Sequence, residues 1–494
     1  MDHLSKHFLS GRPESALLSL PEKVLQFGTG VLLRGLPDYL IDKANRQGIF
    51  NGRIVVVKST DAGDATAFNR QDNLYTLCVR GIENGLPVSQ NIISTAISRV
   101  LSAGLQWTEV LACASNPLLS TVISNTTEVG IQLVPENIRL TPPASFPGKL
   151  LAFLYARYRA FPGDDSKGLV IVPTELVPKN GALLESIVVE LAHLNKLENG
   201  FFGWLENACI FCNSLVDRIV PGRPAADKLS ALEAELGYRD QLLAVVEPYC
   251  LWAIGGDEKV AGILSFGQAD PEAVVITPDI DRYRERKLRL LNGTHTLSCG
   301  LAHLAGFDTV QAAMTDRYMG AFIENLMLGE IVPAIPYELP PGDAEQFGRQ
   351  VLDRFRNPFV EHRWMSITVQ YSAKMRMRNI PVLLEHYRRY GTVPAHFALG
   401  FAAFLCFYRQ PDYPVQDDGA AYFIEKWQTL TPAGCTGTVL ADAGLWGADL
   451  SLLPGFVAQV FKFVSAILKK GALEVLHEFV LTHETKGITN TPTR

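Results

Sequence analysis

Lys287, Asn292 and His295 lie within Arg286-Lys287-Leu288-Arg289-Leu290-Leu291-Asn292-Gly293-Thr294-His295-Thr296. On an α-helix, positions i, i+5 and i+8 fall within an arc of about 140° at roughly 100° per residue, so one pocket can receive all three. A lysine set among cations and partly desolvated exchanges protons closer to neutral pH, while an amide and an imidazole can orient an oxygen. Taken alone, the same residues also fit a solvated lysine, a helix kink at Asn292-Gly293 and a core histidine.

A second group of residues could hold a cofactor. Val24-Leu25-Gln26-Phe27-Gly28-Thr29-Gly30-Val31-Leu32-Leu33-Arg34-Gly35 reads as an apolar strand, a glycine-rich turn and the start of a helix. That is the context in which a dinucleotide pyrophosphate is held: Gly28 permits the tight turn, Gly30 lets phosphate oxygens approach the backbone, and the new helix offers unpaired N–H groups. Arg34 follows within the same motif. The next strand ends in Val57-Lys58-Ser59-Thr60-Asp61. Asp61 is the nearest carboxylate for a ribose hydroxyl, which favours NAD, whereas Lys58 and Ser59 would suit the extra phosphate of NADP, so both cofactors stay open. Ser124-Asn125-Thr126-Thr127-Glu128-Val129-Gly130 follows another apolar strand. Asn125, Thr127 and Glu128 there serve either a ligand at the strand's carboxyl end or an ordinary helix cap.

These residues need a scaffold. At 494 residues, with 47% hydrophobic and 19% charged, the chain can bury more than one core. The first half alternates short β-rich runs with helical stretches, the pattern of a parallel sheet with crossover helices; candidate strands are Val24–Phe27, Arg53–Lys58, Thr121–Asn125, Leu169–Pro173 and Cys209–Phe211. From about Asp281 helical periodicity takes over, as in Val351–Phe355, Ser366–Arg378 and Gly455–Leu468. The expected architecture is α/β, with a Rossmann-type dinucleotide-binding domain over 1–280 and a mainly α-helical substrate and catalytic domain over 281–494.

Net charge is −6 with both signs scattered, which does not support attraction to nucleic acid or anionic lipid and leaves small molecules as partners. The N-terminus lacks a signal-peptide pattern and the longest apolar stretch, near Phe397–Tyr408, is too short for a bilayer, so a cytoplasmic protein without membrane association is expected. Eight cysteines, mostly in apolar surroundings, read as reduced thiols. Cys209 and Cys212 form a CxxC spacing that could bind zinc, but no second pair accompanies it and core packing is the better reading. With no HxxxH, HExxH or His/Asp cluster at ligand spacing, chemistry without a metal is expected.

The segments GxGxxxR at Gly28–Arg34, SNTTE at Ser124–Glu128, KxxxxNGxH at Lys287–His295 and RFxNP at Arg354–Pro358 together resemble the polyol-specific long-chain dehydrogenase/reductase family, which includes mannitol dehydrogenases, over essentially the whole chain. FCNSLVDRIVPG, KLRLLNGTHT and FRNPFVEH are most similar to its uronate-reducing branch. The resemblance implies metal-independent hydride transfer between NAD and a small sugar acid, with Lys287 as proton donor and acceptor and Asn292 and His295 binding the reacting oxygen. It also implies substrate contacts in the segments carrying Asn213, Ser214 and Arg354. Lys374 and Arg376, with Arg378 beside them, are the cations available for a substrate carboxylate. Two departures stand out. Ser214 occupies the place of a catalytic asparagine, with Asn213 one residue away. Arg284 stands where the family carries a glutamate three residues before the lysine, and a cation there suits a carboxylated sugar. A monomer or homodimer is expected.

Overall fold

The computed structural model describes residues 1–59, 65–126, 130–409 and 412–488, the side chains of 484–488 excepted. It forms two compact units, Met1–Arg80 with Pro87–Ile280, and Gly81–Leu86 with Asp281–Arg494.

The first unit is built on a six-stranded sheet. From edge to edge the strands are Ile97–Ser102, Arg53–Lys58, Glu22–Phe27, Thr121–Ser124, Val170–Pro173 and Ile210–Phe211, all parallel. In chain order that is 3-2-1-4-5-6, the doubly wound arrangement whose switch point lies beside the first strand. Burial on both faces explains the near-continuous Val/Ile runs. Alternate residues serve two different cores: Leu25, Phe27, Val55 and Val57 join Trp107, Phe153 and Phe201 on one side, while Val24, Ile54 and Val56 join Leu40, Trp252 and Phe266 on the other. The register pairs Phe27 with Val57 and with Ser124, and Ser124 with Pro173, so the carboxyl ends of four strands finish level. Gly28, Gly30 and Asn125, anticipated as cofactor contacts, follow two of those ends.

Five of the six strands were expected, and Ile97–Ser102 is the addition. It is an edge strand whose Ser98 and Arg99 interrupt the apolar pattern by bonding Glu22. A hairpin, Tyr75–Glu83 and Leu86–Ser94, also went unanticipated, although its Asn84-Gly85 turn, both residues at positive φ, is a strong local hairpin signal. Both thiols of the CxxC pair are buried, and burial pushes each up to about 12.

The second unit's described residues after Ile280 are helical apart from turns and loops. Ala395–Phe407, the most apolar stretch, is a buried helix packed with Trp446, Phe423 and Phe456. No helix among the described residues is long and apolar enough to cross a membrane. The expected helix over Ser366–Arg378 is divided: Trp364–Ile367 ends, Gln370 takes φ +53°, and Tyr371–Lys374 begins a new helix that widens into a π-helix over Met375–Asn379.

Candidate active site

Gly28 ends the first strand with φ +126°, and its N–H donates to the Val57 carbonyl (3.0 Å). A Cβ here would lie 2.8 Å from the Asn125 carbonyl oxygen, so the turn can pass that close only as glycine. Gly30 is bare for another reason. Its φ of −61° suits any residue, and a Cβ would meet nothing within 4 Å. The missing side chain leaves open space before the first turn of Val31–Gly35, where N–H groups have no intrahelical partner. Asn125 is fixed by its own N–H to the Phe27 carbonyl (3.1 Å) and by its Nδ2 to Thr174 Oγ1 (3.0 Å). Beneath it, Glu175 accepts from Ser124 Oγ (3.1 Å) and Thr126 N (2.9 Å), and burial raises its pKa. Ser59 Oγ, just past the second strand, is buried and meets no hydrogen-bond partner among the described residues. That hydroxyl and a bare glycine at one sheet edge fit a dinucleotide.

Arg34 does not face that edge. It is buried, donates through Nη1 to the Leu242 carbonyl, and lies over the rings of Phe68 (5.9 Å) and Tyr75 (5.4 Å). Lys58 is buried at the end of its strand. Asp61, Thr127 and Glu128 lie outside the described residues.

Below the turn sits a buried carboxyl, Asp38, accepting from Gln26 Nε2 (3.4 Å) and Tyr75 OH (3.5 Å). Burial raises its pKa from 3.8 to about 7. The folded protein therefore holds this proton where the unfolded chain has lost it, and the associated stability, full below about pH 4, is lost as pH rises through 7. Asp38→Asn, which keeps both acceptor contacts without the charge, should raise the melting temperature at pH 8 by several degrees, roughly 1–3 kcal/mol, and leave it nearly unchanged at pH 4. Thermal unfolding at the two pH values reads the difference, and an equal shift at both would contradict the buried-proton origin.

In the second unit, Asp281–Arg286, Lys287–Gly293 and Thr294–Leu304 run on as one helix whose middle segment is π-helical. This differs from the α-helical spacing expected there. Because a π-helix bonds i to i+5, Lys287 and Asn292 come one turn apart on the same face, and His295 follows at i+3. The wide turn is held from outside. Asn379 Nδ2 donates to the Gly293 carbonyl (2.9 Å), and Arg378 Nη1 to the Asn292 carbonyl (3.5 Å). In return Arg289 Nη1 donates to the carbonyls of Met377 (2.6 Å) and Arg378 (3.0 Å). Two π segments thus satisfy each other's backbone groups.

Lys287 and Asn292 are partly buried; His295 is buried. The imidazole stacks on Phe355 (4.0 Å, 11°), with His362 (4.9 Å) and Trp364 (5.9 Å) edge-on, and its Nε2 has no hydrogen-bond partner among the described residues. Burial, then His362, Arg354 and Arg378, lowers its pKa well below 6.5. His295 is therefore a neutral imidazole near neutral pH, suited to holding an oxygen rather than supplying a proton.

The remaining anticipated residues divide. Arg354 is buried beside His295. Lys374 Nζ donates to the Ile367 carbonyl (3.0 Å), and burial followed by Arg378 lowers its pKa. Arg376 is exposed, with Gly444 O 3.4 Å from its Nη1. Arg284 pairs with Asp281 near the surface. In the first unit, Asn213 Oδ1 accepts from Ala182 N (3.1 Å), and Ser214 Oγ donates to the Pro173 carbonyl. Both sit around Asn180, whose buried amide bonds Pro173, Glu175 and Ser214. Neither Asn180 nor Glu175 was anticipated; a polar residue just past a strand's carboxyl end was the available signal. His362, Trp364 and Asn379 carry no local signal, because only the fold brings them to His295 and Gly293.

Residues 22–266 match the model of the mannitol dehydrogenase Rossmann domain, and 279–468 that of the mannitol dehydrogenase C-terminal domain. The chain belongs to the mannitol dehydrogenase family. Its relatives include proteins named altronate oxidoreductase, one from Bacillus subtilis (strain 168), 39% identical over 93% of this chain and 96% of its own. Another, from Escherichia coli O7:K1, is 38% identical over 92% and 96%. Solved structures share the fold: the Pseudomonas fluorescens mannitol 2-dehydrogenase ternary complex with NAD and D-mannitol has a TM-score of 0.66 at 21% identity, covering 97% of this chain and 99% of its own. D-Sorbitol dehydrogenase in substrate-free form gives 0.73 at 19%, covering 93% and 96%. The protein is thus a nicotinamide-dependent dehydrogenase of the polyol and sugar-acid class.

Proposed function

We propose that the protein interconverts D-tagaturonate and D-altronate with NADH and NAD. Identities of 37–39% to altronate oxidoreductases over nine-tenths of the chain carry this choice within the family. When bound, the nicotinamide supplies hydride to the keto carbon. Negative charge then grows on the carbonyl oxygen, and Lys287, as its ammonium ion, gives that oxygen a proton. Asn292 and the neutral His295 hold the oxygen through their side-chain nitrogens, most strongly in the transition state. Phe355 fixes the imidazole plane, and the π-helix keeps Lys287 and Asn292 on one face. In the reverse direction Lys287, unprotonated, takes the hydroxyl proton of altronate. Gly28, Gly30 and Asn125 make room for the dinucleotide, and NAD is preferred to NADP.

Consumption of NADH on adding D-tagaturonate, with D-fructuronate and D-fructose alongside, tests the substrate. Faster turnover of fructuronate or fructose would move the protein to another branch of the family. Because Lys287 supplies the proton, activity should survive prolonged chelation; a loss on EDTA treatment restored by zinc would overturn the lysine mechanism.

A further inference from the structure

We infer that Arg378, with Lys374 and His362 beside it, forms the subsite that takes the carboxylate of the substrate. The inference rests on the proposed hexuronate activity and names the residues that distinguish a sugar acid from a neutral sugar. Arg378 Nη1 donates to Thr296 Oγ1 (2.9 Å) and to the Asn292 carbonyl (3.5 Å), which places the guanidinium on the turn that carries Asn292 and His295. Its Nε is buried and has no hydrogen-bond partner among the described residues. A half-buried guanidinium with a buried, open N–H edge is costly unless something accepts from it, and a carboxylate is the group that matches its fork.

The surroundings have the same sign. Among the described residues neither Arg378 nor Lys374 enters an ion pair. Arg378 and Arg354 both bear on His295, Arg378 also bears on Lys374, and Lys374 on His362, each lowering its neighbour's pKa after burial has done so. The carboxylate that faces Lys374 is Asp417, and its oxygens already accept from Ser372 N (2.8 Å), Ser372 Oγ (2.7 Å) and Gly419 N (3.1 Å), and from the Tyr408 hydroxyl. Cys299, which also faces Lys374 and Arg378, is a thiol that burial pushes up to about 12, so it brings no charge near neutral pH. Among the described residues Asp417 is the one carboxylate that bears on Lys374 and none bears on Arg378, so Arg378 and Lys374 together keep an excess of positive charge that favours an anionic ligand. The exposed neighbour Arg376, turned to Gly444, has no part in it.

The test compares kcat/KM for D-tagaturonate and for D-tagatose, the same ketose without the carboxylate, in the full-length enzyme. Arg378→Met should cut the preference for tagaturonate at least tenfold, chiefly through KM, because a charge-assisted hydrogen bond is lost; Arg378→Lys should restore part of it. An equal loss on both substrates would mark Arg378 as a structural support for the Asn292 turn, and an unchanged preference would remove it from the site; either overturns the subsite. Should Arg378→Met fail to fold, Lys374→Met reads the same preference, and no change there is equally contrary. A wild-type enzyme that leaves tagaturonate untouched sinks the functional proposal and the subsite with it, whereas turnover of tagaturonate with no preference over tagatose sinks the subsite alone.

Discussion

Lys287→Ala should lower turnover of D-tagaturonate by roughly a hundred- to ten-thousand-fold, the usual contribution of a positioned general acid. The size follows from what remains. Burial, and after it His362, Arg354 and Arg378, hold His295 neutral, so it cannot replace the lost proton donor near neutral pH. Asn292 can orient the oxygen but has no proton to give up. Affinity for NADH should not change, since the glycine turn belongs to the other unit. The measurement is steady-state kcat beside a direct NADH titration. A fall in kcat and kcat/KM by the same factor marks an interaction made in the transition state, whereas a rise in KM alone would make Lys287 a binding residue. Small amines added to the variant should restore part of the rate.

The second large effect is on the cofactor. Gly30→Val should weaken NADH binding by two or more orders of magnitude while the protein still folds. Its backbone angles suit valine and a Cβ there meets no protein atom, so the cost to the fold is the change at a helix N-cap, about 1 kcal/mol or less. The side chain would instead fill the space that a pyrophosphate needs, removing charge-assisted contacts of about 1.5–3 kcal/mol each. Gly28→Ala is the contrasting variant. At φ +126° and 2.8 Å from the Asn125 carbonyl, it damages the turn and lowers thermal stability as well. Wild-type NADH affinity in a folded Gly30→Val protein would mean that the dinucleotide lies elsewhere.

What the sequence made legible follows from how local each signal is. Val24–Phe27 and Arg53–Lys58 announce themselves because strands buried on both faces must be apolar throughout, and a glycine turn after the first strand follows from backbone sterics alone. Ile97–Ser102 stayed hidden because an edge strand can spend Ser98 and Arg99 on polar contacts. The π-helix at Lys287–Gly293 could not be read at all. No residue type prefers i→i+5 bonding strongly enough to reveal it, and Asn379, Arg378 and Arg289, which hold it, act across some ninety positions of sequence. Lys287, Asn292 and His295 could be singled out by residue type and spacing, and given roles only through the family resemblance, whereas the face they share depends on tertiary contacts. For the same reason Lys374, Arg376 and Arg378 could be named as carboxylate candidates from sequence but not separated. Only the fold turns Arg376 to Gly444 and Arg378 to Thr296.

The pH dependence of D-altronate oxidation by NAD, measured in parallel on the wild type and Lys287→Ala, bears most directly on hydride transfer assisted by a lysine acid and base. Oxidation releases the hydroxyl proton of altronate, so the wild-type rate should rise with pH, whereas the variant should be slow and lose that dependence. A variant that keeps both the wild-type rate and the wild-type profile would show that Lys287 is structural and that the proton moves through another group.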